Sequence, residues 1–116
     1  MIKEASEHFV EILSQKPALV PLYKNRDMTL EIQSDEEHIW LQFLDGHCDI
    51  LLSKPEHVDI TVSGNTECIE ALIKGYERLT LMEEEGRITI DGSLRHLLSL
   101  ESLFVLTGED SALLHN

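Results

Sequence analysis

The sequence has little cysteine and no long apolar run, and each shortage excludes a class of protein. Its two cysteines, Cys48 and Cys68, fall on different predicted elements without the spacing of a disulfide framework, so we interpret them as buried free thiols in a reducing cytoplasm. No apolar run approaches the ~20 residues of a membrane-spanning helix, and the N-terminal MIKEASEHF lacks the apolar stretch of a signal peptide. We therefore expect one cytoplasmic domain, residues 1–116, without stable membrane anchoring.

Positive charge is scarce as well. The chain has 9 Lys and Arg residues against 22 Asp and Glu residues, which gives a net charge of −13 at pH 7. A field of that sign repels phosphate backbones and anionic lipid surfaces, which argues against a nucleic-acid partner and against electrostatic docking on membranes. The simplest role of this charge is to keep the protein in solution.

The motifs of common active sites are missing too. The sequence contains no phosphate-cradling GxxxxGK[ST], no GxGxxG and no GxSxG. Its histidines are scattered and form neither HExxH nor an HxxxH pair: His8, His38, His47, His57, His96 and His115. His47 and Cys48 are neighbours on a predicted strand, so they point to opposite faces and cannot share an ion. We predict no catalysis, no cofactor and no metal site, and interpret Glu83, Glu84 and Glu85 as a solvated helix end.

Alternating apolar and polar residues predict five strands. These strands cover residues 27–34, 38–44, 47–52, 57–63 and 87–91. Asp45 and Gly46 predict a tight turn, because both central positions of a type I′ turn need φ > 0. Folding the chain there pairs Trp40 with Leu51. Every strand has one apolar face and one mainly polar face, which is typical of a mainly antiparallel sheet covered on one side.

Helical spacing and capping signals predict four helices, while the prolines of residues 17–25 predict a loop. The helices cover residues 3–16, the segment from Asn65 or Thr66 to Gly75, residues 76–86, and residues 94–106 after the cap Ser93. The fold class is therefore α+β: a two-layer sandwich of a five-stranded, mainly antiparallel sheet with helices packed on one face. We expect residues 107–116 to form a loose tail.

One polar residue is out of place on the last predicted helix. At 100° per residue, one broad apolar face contains Leu94, Leu97, Leu98, Phe104 and Val105, and Glu101 falls in its middle. A buried carboxylate without a partner costs several kcal/mol. Either the helix bends or frays so that Glu101 reaches water or a cation, or Glu101 is the polar end of a pocket for an amphipathic ligand.

Two segments, VDITVSGNTECIEALIKG and EEGRITIDGSLRHLLSLESLF, resemble the sterol carrier protein 2 (SCP2-like) family. The residues that match the family pattern are Asp59, Ile60, Thr61, Val62 and Gly75, then Gly86, Arg87, Ile88, Thr89, Ile90 and Gly92. With the hairpin around Asp45-Gly46, the resemblance covers about residues 25–106. The C-terminal Leu-Leu-His-Asn differs from the peroxisomal Ser-Lys-Leu, so the chain looks like a small stand-alone, bacterial-type member. Its acidity differs from the basic animal carriers, which puts lipid transfer by membrane collision in doubt.

The resemblance implies a hydrophobic tunnel between sheet and helices that binds sterols, fatty acyl chains, isoprenoids or related lipids without catalysis. The expected lining is Phe43, Ile50, Ile69, Leu72, Ile73, Leu79, Met82, Leu98, Glu101 and Phe104. Plain core packing is the alternative for each of these residues. A protein-interaction or dimerisation module with a filled core and no ligand is the alternative function, and an enzyme is a third.

The single tryptophan lies on the opposite, mainly polar face of the predicted sheet. There Trp40 pairs with Leu51 across the hairpin, a combination that protein interfaces concentrate. It is an ordinary surface aromatic, or it is covered by Leu113 and Leu114 of the tail, or it meets the same face of a second copy about a two-fold axis. We favour the homodimer, with Trp40 and Leu51 at its interface, because ordering a polar tail through two leucines gains little against its entropy.

Overall fold

The chain forms a helix first, then four consecutive strands, two helices, a fifth strand and a last helix, which is an α+β order. The structure is a computed structural model and describes residues 2–35 and 37–108. Its α-helices are α1 (Ile2–Gln15), α2 (Thr66–Ile73), α3 (Leu79–Glu84) and α4 (Leu94–Thr107), and a 3-10 helix covers Pro17–Leu22. Its strands are β1 (Met28–Gln33), β2 (His38–Leu44), β3 (His47–Leu51), β4 (Ile60–Gly64) and β5 (Ile88–Gly92). The predicted tail, including Leu113 and Leu114, lies almost wholly outside the described residues.

The five strands form one sheet in the order β3-β2-β1-β4-β5. Three of the four pairings are antiparallel, and β1 and β4 run parallel. The predicted turn is confirmed, since Asp45 has φ of 52° and Gly46 has φ of 78°. The predicted pairing of Trp40 with Leu51 is confirmed as well. The five-stranded, mainly antiparallel α+β sandwich is therefore the observed fold.

Asp59 joins the two parallel strands at the centre of the sheet. Its Oδ2 accepts a hydrogen bond of 2.7 Å from the Thr29 amide, while its own amide donates to the Thr29 carbonyl at 2.8 Å. Burial opposes ionisation of Asp59, but the Thr29 amide and the nearby imidazoles of His57 and His96 outweigh it and lower the pKa of the carboxyl. Asp59, the first residue that matches the family pattern, thus extends the ladder between β1 and β4.

The hydrophobic core lies between one face of the sheet and the helices. The largest fully buried side chains are Phe9, Phe43, Phe104, Ile2, Leu13, Leu30, Ile32, Leu41, Ile60, Ile69, Leu72 and Leu79. An aromatic chain links the layers, since the ring of Phe9 lies 5.0 Å from that of Phe104 and 6.4 Å from that of Phe43. The loop expected at residues 17–25 begins instead as the 3-10 helix, which Pro17 can open because a first-turn residue needs no donor.

The predicted core-facing side of α4 is right for Leu97 and Phe104 and wrong for Leu94 and Leu98. Leu97, Leu100 and Leu103 are buried with Phe104, whereas Leu94 is 67% exposed and Leu98 is 50% exposed. Leucines occur nearly all round this helix, so its periodicity fits more than one inward face. The packed face is centred between Leu100 and Phe104, which turns Leu98 to the outside.

A candidate lipid-binding cleft

A cleft opens between α1, α2 and the end of α4. Its volume is about 220 Å³, and it is lined by Glu4, Ala5, His8, Phe9, Ile73, Lys74 and Thr107. We call it the α1–α2 cleft. Phe9 and Ile73 are each 2% exposed and belong to the core, so the floor of the cleft is the apolar interior of the sandwich.

Helical spacing explains the wall that α1 contributes. Ala5 and Phe9 are four residues apart and therefore lie on the same side of the helix, the side that faces the core. Alanine at position 5 leaves space beside the Phe9 ring that a longer side chain would fill. On the other side, α2 ends after Ile73, which brings Ile73 and Lys74 to the cleft.

The rim of the cleft is polar. Glu4 and His8 lie on the exposed side of α1, and Lys74 pairs with Glu70 one turn away at 3.8 Å. The Thr107 hydroxyl donates to the Leu103 carbonyl at 2.7 Å, so its hydrogen is already used within α4. An apolar floor with a charged rim suits an amphipathic molecule whose chain enters first.

The structure separates the residues predicted to line a tunnel. Six of them are fully packed, with exposures of 1% or less: Phe43, Ile69, Leu72, Leu79, Met82 and Phe104. Ile73 lines the α1–α2 cleft, and Ile50 is half-buried against the core on β3. Leu98 and Glu101 line two separate surface clefts on the outside of α4. The predicted lining contains no residue of α1, although Ala5 and Phe9 belong to an apolar stripe that is visible in the sequence and both line the cleft.

Glu101 has a structural partner. Its Oε2 accepts a hydrogen bond of 3.2 Å from the amide of Thr80, in the first turn of α3. Arg78, the residue before α3, provides no side-chain cap. Glu101 therefore supplies from α4 an acceptor that the start of α3 lacks.

Trp40 also has an intramolecular partner on the face of the sheet opposite the core. Its indole Nε1 donates to Oε2 of Glu31 at 2.9 Å, and Glu31 stands directly across from it on β1. The Glu31 side chain is 9% exposed and lies 3.6 Å from the His38 imidazole. The tryptophan thus shields and binds a carboxylate, and Leu51 lies beside it on β3.

The described residues also bear on metal binding, on membrane spanning and on the state of the cysteines. Within residues 2–35 and 37–108, no three His, Cys, Asp or Glu side chains converge as metal ligands would. In the same residues, no helix combines the length and the apolar character needed to cross a bilayer. Cys48 and Cys68 are both free thiols.

Solved structures with this fold share little sequence with the chain. A UbiJ-SCP2 ubiquinone synthesis protein superimposes with a TM-score of 0.69 at 18% identity, covering 84% of this chain and 82% of the other. A crystal structure of sterol carrier protein 2 gives a TM-score of 0.67 at 9% identity, covering 91% and 95%. Sterol carrier protein-2 like-3 from Aedes aegypti gives 0.60 at 17% identity, covering 85% and 95%. No match was found among curated protein sequences.

The sequence itself matches the model of one protein family. The family model of the SCP-2 sterol transfer family covers residues 5–105, which include most of α1, the whole sheet and most of α4. The chain therefore belongs to the SCP-2 sterol transfer family.

Proposed function

We propose that the protein binds a lipid or other amphipathic small molecule of acyl, isoprenoid or sterol type in the α1–α2 cleft, without catalysing a reaction on it. The observation that carries this proposal is the floor of the cleft, where Phe9 and Ile73 connect an opening at the surface with the core. Membership of a sterol transfer family supports a lipid ligand. Similarity to a ubiquinone synthesis protein adds isoprenoid chains to the ligands worth testing.

The size of the cleft limits how such a ligand is held. Its volume of about 220 Å³ is below the roughly 300–1,000 Å³ of most small-molecule sites. The proposed site therefore accepts one end of an apolar chain beside Ala5 and Phe9, while the polar end stays at the rim near Lys74. A tunnel through the layer lined by Phe43 and Phe104 would require those buried rings to move.

Native mass spectrometry of freshly purified protein, followed by organic extraction, tests for a resident ligand. We expect a co-purifying acyl or isoprenoid molecule. Purified protein should also bind a fluorescent fatty acid with a dissociation constant of micromolar order, which corresponds to a binding free energy of about −8 kcal/mol. Bare protein that binds none of a panel of acyl, sterol and isoprenoid probes would contradict the proposal.

A pair of matched variants tests the place of binding. Ala5→Phe fills the space beside Phe9, and we expect it to weaken fatty-acid binding by about tenfold or more, because it removes apolar contact area. Ala18→Phe makes the same change at an exposed position of the 3-10 helix and should leave binding unchanged. His8→Trp, at an exposed position on the rim, provides a second block that does not disturb the core. Equal binding by all three variants would place the ligand elsewhere.

The packed layer between sheet and helices supports a second candidate function, an interaction or dimerisation module. In that layer, four residues are each exposed by 1% or less: Phe43, Leu79, Met82 and Phe104. In that case the protein remains bare in the mass spectrometer, and its function lies on its outer surfaces. The open face of the sheet around Trp40 and Leu51 is the surface we propose for a homodimer.

A further inference from the structure

Strand β3 lies at one edge of the sheet. β2 is its neighbour on one side, and no strand of residues 2–35 and 37–108 pairs with its other side. The two-residue turn makes Leu44 and His47 a hydrogen-bonded pair, and such pairs alternate along an antiparallel ladder. Cys48 and Ile50 therefore point their amide and carbonyl groups away from β2. We call this outer side of His47–Leu51 the β3 edge.

The β3 edge lacks the features with which proteins usually protect an exposed strand. Its pairing with β2 is regular over the whole strand, and it contains no proline, no lysine and no bulge. Within residues 2–35 and 37–108, no backbone hydrogen bond from another element reaches Cys48 or Ile50. The edge is therefore open to main-chain pairing with an extended segment.

Apolar side chains border the β3 edge on both faces of the sheet. On the core side, Cys48 and Ile50 are half-buried. On the open face Leu51 is half-buried, and Leu52, directly after the strand, is fully exposed. α1 packs against β3, and its half-buried Val10 lies on the flank of the helix opposite to the α1–α2 cleft. An added strand would therefore cover apolar surface on both faces, and that burial would stabilise it.

Asp49, in the middle of the β3 edge, decides which segment can pair there. It is exposed, its cross-strand partner is the neutral Gln42, and none of the ion pairs within residues 2–35 and 37–108 includes it. If two copies paired so that Cys48 and Ile50 of both were satisfied, Asp49 would stand opposite the same residue of the second copy. Like charges directly opposite each other destabilise a sheet, and each copy carries a net charge of −13. A second copy is therefore a poor occupant, whereas a basic segment is a good one.

From these observations we propose that the β3 edge binds an extended basic segment of a partner protein as an added strand. The segment runs antiparallel to β3, the more stable pairing, and has a lysine or arginine opposite Asp49 and apolar residues opposite Cys48 and Ile50. Main-chain hydrogen bonds hold the segment, and the charge pair selects it. This site goes beyond the proposed function, because it shares no residue with the lining of the α1–α2 cleft.

A fluorescein-labelled peptide with blocked ends, Leu-Val-Lys-Val-Thr, tests the proposal by fluorescence polarisation. We expect saturable binding, with slower solvent exchange of the Cys48 and Ile50 amide protons. Methylation of either valine backbone nitrogen removes a donor to β3 and should weaken binding about tenfold or more. Methylation of the lysine backbone nitrogen, which points away from β3, should leave binding unchanged. Equal effects of the three methylations would contradict pairing through the main chain.

A matched pair of charge variants tests the selection of the segment. Asp49→Lys should bind the peptide about tenfold or more weakly and should prefer a peptide with glutamate in place of the lysine. Asp91→Lys makes the same change at an exposed position of β5, the other edge strand, and should bind as the wild type does. Equal binding of the lysine peptide by the two variants, or no binding by the wild type, would overturn the proposal.

Two further measurements separate this site from the other surfaces. Concentration-dependent protection of the Cys48 and Ile50 amides in the protein alone would assign the β3 edge to a second copy and overturn the proposal. The fluorescent fatty acid should bind Asp49→Lys as it binds the wild type, so failure at the β3 edge is distinguishable from failure at the α1–α2 cleft. Circular dichroism confirms that each variant is folded.

Discussion

Gly75 and Gly108 lie backbone to backbone where α2 and α4 end. A Cβ atom built on Gly75 would stand 2.8 Å from Cα of Gly108 and 2.5 Å from the carbonyl oxygen of Phe104. A Cβ on Gly108 would stand 2.6 Å from the carbonyl oxygen of Lys74. Because all of these neighbours are backbone atoms, no rotamer change can relieve the overlap. The contact fixes the ends of both helices beside the α1–α2 cleft.

Substitution of Gly75 should therefore lower the free energy of unfolding by more than the left-handed backbone conformation alone explains. Gly75 and Gly86 have nearly the same φ, 78° and 76°, but a Cβ on Gly86 meets nothing within 4 Å. We expect Gly86→Ala to lose about 1–2 kcal/mol of unfolding free energy from the left-handed conformation. Gly75→Ala should lose a further 1–3 kcal/mol or so from overpacking. Urea unfolding measures both, and equal losses would show that the two helix ends separate easily.

The bond between Glu101 and Thr80 gives a second prediction. Glu101→Leu removes the acceptor for the Thr80 amide in the first turn of α3. We expect a loss of about 1 kcal/mol, as for other capping residues, and a smaller loss for Glu101→Gln, which keeps a carbonyl acceptor. Urea unfolding of the two variants distinguishes the bond from the charge. A neutral or stabilising Glu101→Leu, as expected for a carboxylate in a wet pocket, would mean that the bond contributes nothing.

The contrast between the hairpin and α4 shows what the sequence could predict. Alternation over β2 and β3 fixes which side chains share a face, and Asp45-Gly46 fixes the turn, so the pairing of Trp40 with Leu51 follows from local information. On α4 the same kind of information fails, because apolar residues such as Leu94 and Leu98 occur on the outer side as well. Which face packs is decided by contacts with other elements.

The α1–α2 cleft and the contact between Trp40 and Glu31 could not be predicted from local sequence pattern, for the same reason. Ala5 and Ile73 line the same cleft only because α1 and α2 pack together, and no spacing in the sequence encodes that approach. Glu31 meets Trp40 because β1 pairs with β2 in one register, which no two-residue turn specifies. Sequence analysis therefore predicted the elements and the family, while the candidate site depended on packing between distant segments.

The Trp40–Glu31 pair predicts a stability change in acid. Burial opposes ionisation of Glu31, but hydrogen bonds from Trp40, Gln33 and His38, with the nearby charge of Lys54, outweigh it and lower the pKa of the carboxyl. A lowered pKa means that the ionised form stabilises the fold. That contribution is complete above the ordinary pKa of 4.5 and is lost as the pH falls below it, through the pKa of the folded state.

Trp40→Phe tests this pair. The variant keeps the aromatic ring and removes the indole donor, so we expect it to lose about 1–3 kcal/mol near neutral pH, as for a hydrogen bond to a charged group. Its stability should also fall less steeply in acid than that of the wild type. Urea unfolding across the acid range measures the two curves, and Glu31→Gln serves as the reference without the titrating group. Parallel curves for Trp40→Phe and wild type would contradict the role of the indole.

Cys48 should be an unreactive thiol. Burial, with a smaller contribution from the adjacent Asp49, raises the pKa of Cys48 to about 12. The nucleophilic thiolate is therefore scarce near neutral pH. We expect iodoacetamide to alkylate Cys48 in the folded protein far more slowly than in urea, as measured by mass spectrometry of digested peptides. In the Cys48→Ser variant, all remaining alkylation is that of Cys68, which serves as the control. Rapid alkylation of Cys48 in the folded protein would contradict the prediction and show that β3 opens at the edge of the sheet.

The homodimer through the open face of the sheet stays a prediction, and the structure provides a cleaner variant with which to test it. Trp40 is held by Glu31, so with Leu51 it presents a preformed apolar pair, and a preformed surface loses less entropy on association. A carboxylate at position 40 would stand beside Glu31 and disturb the fold, whereas Leu51→Glu adds the charge at the neighbouring half-buried position.

We expect sedimentation of the wild type to show a dimer that tightens with added salt, because salt screens the repulsion between two copies that each carry a charge of −13. Leu51→Glu should sediment as a folded monomer that still binds the fluorescent fatty acid, since the α1–α2 cleft lies on the other side of the sheet. Trp40→Phe, which keeps the apolar surface, should remain dimeric. A wild type that is monomeric at high concentration in high salt would leave Trp40 with one role only, the shielding of Glu31.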